Sequence, residues 1–273
     1  MNTPAEVAVN YLKVGVGKVE LKVVKMFLLS LMAGAFIALA GVAAASASAT
    51  VAAPSIAKLV SALIFPAGLM MVVLAGSELF TGNCLLVMPL LSKKIRMMQM
   101  LRSWVIVYIG NFVGSILVAA TMAYSHQLSA FSGSLLTSTF TTAIAKCSLT
   151  FGDAFLKGIA CNFLVCIAVW ITMSAKTVVG KIVGLYFPIM AFVVSGFEHS
   201  IANMFYGPVG LIAKGMPEYA SAALEAGIDL SGLSWGGFLV HNLVPVTLGN
   251  IVGGVIVGVV YWCVYVQGKK ENA

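Results

Sequence analysis

Charge is what this sequence most lacks. Only 9% of its 273 residues are charged, nine of them acidic. Soluble domains carry about a quarter of their residues charged, so a fully water-facing surface is excluded. Histidine is limited to three positions, and no two of the five cysteines have metal-ligand spacing. Cys84, Cys161, Cys166 and Cys263 fall within apolar runs and only Cys147 lies outside, so they read as small packing residues, with no metal or cofactor implied. The first 25 residues lack the compact apolar core and small-residue cleavage site of a signal peptide.

What the chain does have is apolar length. Hydrophobic residues make up 60% of it. Its length accommodates about six spans of ~20 residues. They are expected near 26–48, 57–92, 102–124, 154–175, 182–206 and 239–266, giving an all-α membrane protein. The basic residues are sorted by loop. Lys13, Lys18, Lys22 and Lys25 precede span one, and Lys93, Lys94, Arg96 and Arg102 separate spans two and three. Lys176 and Lys181 lie between spans four and five, and Lys269 and Lys270 follow span six. These 12 of 16 basic residues fall on one side, which the positive-inside bias makes cytoplasmic, together with both termini. The basic balance is thus a topology signal, and no nucleic-acid partner is needed to explain it. Trp104, Trp170, Trp235 and Trp262 fall near span ends, as an interfacial aromatic belt would.

Residues 1–25 form a separate element. Thr3-Pro4-Ala5-Glu6 reads as a helix start with Thr3 as N-cap, Pro4 in the first turn and Glu6 closing a capping box. Val7, Val9, Leu12, Val16, Val19 and Val23 alternate with polar residues. They fit an interfacial helix on the inner leaflet, or a mobile gate under a pore mouth.

Two of the spans are interrupted by polar, glycine-marked phrases. One is Gly76-Ser77-Glu78-Leu79-Phe80-Thr81-Gly82-Asn83; the other is Gly196-Phe197-Glu198-His199-Ser200-Ile201-Ala202-Asn203. They align without gaps, Glu78 with Glu198 and Asn83 with Asn203. Spans three and six also share a pattern, Gly110-Asn111-x-x-Gly114 and Gly249-Asn250-x-x-Gly253. The halves, about 26–124 and 154–266, thus read as a repeat. Three spans per copy is odd, so the copies enter the membrane from opposite faces: a 3+3 inverted repeat, with the breaks meeting near the midplane. The glycines four apart permit close helix contact, and Asn111 and Asn250 read as interhelical hydrogen-bond partners.

Backbone freed by a break must be buried in protein or line a wet cavity. Glu78 and Glu198 are expected to accept hydrogen bonds from the freed N–H groups, with Asn83 and Asn203 beside them as further structural residues. The unmatched positions carry the chemistry. His199 aligns with Leu79, and Thr81 with Ile201, leaving one imidazole and one hydroxyl among apolar side chains. A buried, neutral imidazole donates one hydrogen bond, and such a pair suits a small anion or its conjugate acid. His126 and His241 lie near the outer face. Lys146, in outer segment 125–152, and Lys157 are exceptions to the inside bias and candidate anion attractors. The segment 207–237 is the other long outer connection.

The phrase Val73 to Gly82 resembles the first signature of the formate–nitrite transporter family. The stretch from Gly158 to Ala168 is similar to its second, with Ile167 where leucine or valine is usual, and Gly196 to Asn203 resembles the stretch that bears the family's central histidine. The likeness covers nearly the whole chain. It implies an aquaporin-like protomer in a homopentamer, with one pore per protomer passing formate, nitrite or hydrosulfide, linked to protons. By position, His199 and Thr81 would form the central polar pair. Leu79 and Phe192 would form one constriction, with Leu69 and Phe80 near the other. Asn162 would add a polar contact, Lys146 would line the outer vestibule, and the N-terminal segment would gate. Formate is the expected substrate, in a multi-pass protein of the cell membrane.

Three rivals stand beside this reading. A water or glycerol pore would show an Asn-Pro-Ala pair, which neither Asn83-Cys84 nor Asn203-Met204 fits. An intramembrane enzyme using Glu198 and His199 lacks a nucleophile–base pair or a metal triad. A purely structural subunit needs no polar breaks.

Overall fold

The structure, a computed structural model, describes residues 1–267. The tail lysines Lys269 and Lys270 lie outside the described residues. α1 (Pro4–Val19) opens on the capping box read from the sequence. Thr3 N–H donates to the Glu6 carboxylate at 2.7 Å, and Glu6 N–H donates to the Thr3 hydroxyl. These backbone and hydroxyl bonds from Thr3 hold the Glu6 carboxyl below its ordinary pKa. α2 (Val23–Ser48), α3 (Pro54–Ile64) and α4 (Pro66–Ala75) follow. Next come the single turn α5 (Phe80–Asn83), a tight turn at Cys84–Leu86, α6 (Val87–Leu91) and α7 (Met97–Tyr124). The second half comprises α8 (Ser134–Cys147), α9 (Phe151–Ser174), α10 (Val178–Val194), α11 (Ser200–Lys214) and α12 (Pro217–Glu225). It ends with α13 (Trp235–Gly237), a π-helical turn at Phe238–Leu243 and α14 (Val244–Tyr265).

Among the described residues, five helical stretches are long and apolar enough to cross a membrane: Val23–Ser48, Pro54–Ala75, Met97–Tyr124, Phe151–Ser174 and Trp235–Tyr265. The expected span 182–206 is absent from that set for a simple reason. Its break divides it into α10 of 17 residues and α11 of 15, each short of the ~20 a bilayer requires. Two expected connections are also helical. Segment 125–152 holds α8, and 207–237 begins as the continuation of α11, then holds α12.

Both interrupted helices end the same way. Gly76 (φ 79°) closes α4 and Gly196 (φ 69°) follows α10, each in the left-handed region where a side chain is strained. Ser77 N–H then donates back to the Val72 carbonyl, and Phe197 N–H to the Phe192 carbonyl. An extended residue, Leu79 or His199, stands as N-cap of the next piece.

Glycine brings the long helices together. α7 crosses α2 where Gly114 meets the Leu31 carbonyl and Gly34 meets Asn111. α14 crosses α9 in the same manner, with Gly249 on the Phe155 carbonyl and Gly253 on that of Ile159. Backbones this close leave no room for a Cβ, the small-residue packing of membrane helices.

α1 is seated on the protein. Val7, Ala8, Tyr11, Gly15 and Val19 are buried, whereas Val9 is exposed, so the covered face is rotated from the valine stripe expected. The reason is the partner: Gly15 lies under Pro89 of α6, and the Tyr11 hydroxyl donates to the Gly82 carbonyl. The tryptophans do not act as one set. Trp170 is buried against Tyr261, and Trp104 and Trp262 donate to the Asn83 carbonyl and the Ser92 hydroxyl.

Gly114→Ala and Gly253→Ala are each expected to cost about 1–3 kcal/mol by overpacking. Gly152→Ala, where nothing lies within 4 Å, should be silent. Thermal melting of the detergent-solubilised protein checks this; equal melting of all three variants would show that the crossings tolerate a Cβ.

Candidate functional site

The freed backbone at each break is claimed by an asparagine of a neighbouring helix. Phe80 N–H donates to Asn111 Oδ1 at 3.0 Å, and Asn111 Nδ2 donates to the carbonyls of Ser30 and Glu78. In the second half, Ser200 N–H donates to Asn250 Oδ1 at 2.9 Å, and Asn250 Nδ2 donates to the carbonyls of Gly158 and Glu198. Asn111 and Asn250 are therefore interhelical partners, as expected, and they also do the work assigned above to Glu78 and Glu198. Only a side chain with both donor and acceptor can bond a freed N–H and a freed C=O at once. A carboxylate cannot.

The two carboxylates are instead held in ion pairs. Glu78 and Glu198 are 7% and 5% exposed, and a buried charge requires a partner. Lys18 Nζ, from α1, donates to both Glu78 oxygens at 2.9 Å and to Asn83 Oδ1 at 2.9 Å. Lys146 Nζ, from α8, donates to both Glu198 oxygens at 2.7 and 2.8 Å. Asn83 and Asn203 each donate to the glutamate five residues before them, at 2.8 and 2.7 Å. Asn242 of the π-helical turn adds a donor to Glu198 and accepts from Asn203. Lys146 is thus a paired group and not a free attractor. Lys18 and Asn242 were not singled out from the sequence. The one signal available was indirect: a carboxylate at such depth demands a cation from somewhere.

His199 and Thr81 meet. Thr81 Oγ1 lies 2.9 Å from His199 Nε2, across a sequence separation of 118 residues. The imidazole also caps α11, since Ala202 N–H donates to His199 Nδ1 at 3.1 Å. With Nδ1 as acceptor, Nε2 carries the proton of the neutral ring and donates to Thr81. The Thr81 hydroxyl hydrogen is then available to a further acceptor. Asn162 braces this pair from behind, donating to the Thr81 carbonyl at 3.2 Å and the Asn250 carbonyl.

Two cavities lie at opposite ends of the α3–α4 stretch, and His199 lines the second. One is walled by Lys18, Lys25, Leu69, Gly76, Glu78 and Leu79. The other is walled by Lys58, Phe65, Lys146, Phe192, Phe197 and His199. Phe192 stacks on the imidazole with ring centres 5.8 Å apart. Leu79 and Phe192, grouped above, thus face different cavities, while Leu69 shares one with Leu79. Phe80 lines neither of these cavities and packs against Trp104 and Tyr108. His126 and His241 are exposed.

Residues 5–263 match the family described as formate/nitrite transporter. The chain belongs to that family. It is 43% identical over 237 residues to the formate channel FocA of Haemophilus influenzae, covering 84% of this chain and 82% of that protein. It is 40% identical over 263 residues to a probable formate transporter of Methanothermobacter thermautotrophicus, covering 89% of each. A solved pentameric formate channel with formate bound superposes with a TM-score of 0.80 at 38% identity, over 90% of this chain and 98% of that one. The protein is accordingly a multi-pass membrane protein of a channel family.

Asn250→Leu would orphan the Ser200 N–H and the Glu198 carbonyl, each costing about 1–3 kcal/mol when buried. It is expected to lose the folded, detergent-stable form on size exclusion. A variant that elutes and melts like wild type would mean the break is held by other bonds.

Proposed function

We propose that this protein is a homopentameric formate channel in which each protomer has its own passage past His199 and Thr81. The observation that carries the reading is the hydroxyl–imidazole pair, whose His199 lines one of two cavities set at opposite ends of the same helical stretch. Joining α10 to α11 and α4 to α5–α6 across their breaks gives six spans in a 3+3 inverted repeat of aquaporin-like layout. The matched Asn111 and Asn250 bonds support it. The basic surplus assigns the Lys18 cavity and the termini to the cytoplasm, and the Lys146 cavity to the outside. The relatives' names favour formate. Nitrite and hydrosulfide, also small monovalent anions of weak acids, are the alternative cargo.

Magnitudes select the form that crosses. The Born cost of bringing a bare carboxylate into an apolar medium is tens of kcal/mol, although real sites relax much of it. Protonating a carboxylate of pKa ~3.9 at neutral pH costs about three units at ~1.36 kcal/mol each, roughly 4 kcal/mol. The substrate therefore passes the Leu79 and Phe192 side chains as the neutral acid. At the waist, the Thr81 hydroxyl, held in place by Nε2–H of His199, orients it. The neutral form grows tenfold with each unit fall in pH below 7 and levels off near the acid's own pKa, so flux rises over the same window.

Formate uptake into proteoliposomes, measured from pH 7 to pH 4.5, checks this. Wild type should accelerate as pH falls. His199→Phe and Thr81→Val, which remove the polar contacts, should slow formate about tenfold or more at every pH. Unchanged flux and an unchanged pH profile in His199→Phe would remove the histidine from the mechanism. Osmotic water flow without anion dependence would favour a neutral-solute pore.

A further inference from the structure

Four lysines do not belong to the basic surplus on the Lys18 side: Lys58, Lys146, Lys157 and Lys214. Lys146 is neutralised by Glu198, and Lys214 Nζ is spent on the carbonyls of Leu230 and Leu233, each at 2.8 Å. Lys58 differs. It is exposed on α3 and makes no hydrogen bond or ion pair with any described residue. It lines the same cavity as Lys146, Phe192 and His199, and no carboxylate lines that cavity with it. Its stem reaches over the second break: Cε lies 4.0 Å from where a Cβ on Gly196 would stand. The charges that act on it are Lys146, Glu198 and Lys157, so with Lys58 itself the cluster holds three cations and a single carboxylate.

We propose that Lys58 is the anion-capturing cation of the outer vestibule, recruiting the small monovalent anion before it reaches Phe192 and His199. The inference rests on the channel reading above. Its physical basis is the difference between a charge and a dipole. An ammonium bonded to both oxygens of a carboxylate presents only a short dipole to the cavity, and its field falls off quickly. Lys58 presents a whole charge in a cleft with apolar walls, where field lines are focused and local anion concentration rises. The Lys146–Glu198 pair then acts as scaffold for the break, and Lys58 supplies the attraction. The other cavity is built on the same plan. Its Lys18 is paired with Glu78, while Lys25 lines the wall and forms no ion pair among the described residues.

The test is initial formate uptake by the reconstituted full-length protein, at formate well below saturation, in low salt (about 10 mM, Debye length ~30 Å) and in 1 M salt (~3 Å). Lys58→Gln is expected to fall about three- to tenfold in low salt and to approach wild type in 1 M salt, as fits one charge's share of a steering field worth about 10–10³-fold in all. Lys58→Arg should retain the wild-type rate. Lys58→Cys should regain rate on modification with a cationic methanethiosulfonate and lose more with an anionic one. Wild type treated alike is the control, because Cys263 is exposed. If Lys58→Gln and Lys58→Glu match wild type in low salt while wild type carries formate, Lys58 has no capturing role and the channel reading stands. If the loss is equal at both salt levels, or arginine fails to rescue it, the side chain acts by packing and the proposal is overturned. If wild type carries no formate at all, both readings fall together.

Discussion

An interrupted helix inside an apolar layer has to find partners for the peptide groups it sets free. That requirement organises the rest of this molecule. Lipid offers no hydrogen bonds, and each buried, unmet group costs on the order of 1–3 kcal/mol. Asn111 and Asn250 meet the demand by spanning three elements apiece. For an amide to reach so far, the helices that bear it must come very near. Gly34, Gly114, Gly249 and Gly253 permit that approach. The glycines, the asparagines and the breaks are therefore one device, used twice.

Once the breaks exist, each admits a buried glutamate, and each glutamate draws in a lysine from outside the break's own element. One comes from α1 and the other from α8. This ties the peripheral helices to the centre by charge as well as by apolar contact. Lys18 in particular joins α1 to the first break, and Tyr11 adds a second tether at Gly82. The two halves differ at the two matched places that matter for chemistry, Leu79 against His199 and Thr81 against Ile201. Leu79 caps its helix with no side-chain bond, whereas His199 caps its own with a ring nitrogen.

Much of this could be read in the chain. Polar, glycine-marked phrases inside apolar runs gave the breaks, because both the composition and the backbone requirement of Gly76 and Gly196 are local. The pairing of Thr81 with His199 followed from the repeat. Less could be said of side-chain partners. The sequence points to Glu78 and Glu198 as the backbone acceptors, because a carboxylate at a helix start is a familiar arrangement. Which polar group faces a given N–H depends on helix rotation, and a sequence does not display that. Lys18 and Asn242 sit 60 and 44 residues from the glutamates they serve. Phe80, Leu69 and Leu79 are all apolar, and nothing in their identity tells a wall residue from one packed on Tyr108. Helices α8 and α12 are short and mixed in polarity, which makes them hard to tell from loops in the sequence.

The capping role of His199 reaches beyond holding a helix in place. An imidazole that ferries charge between two compartments must take a proton on one nitrogen and release it from the other, or else turn over between visits. Here Nδ1 is occupied by the Ala202 amide, and rotation would uncap α11. If the passage proposed above runs past this ring, any proton exchange with a guest would enter and leave through the same atom. The ring can lend a proton and take it back, but it cannot be a wire.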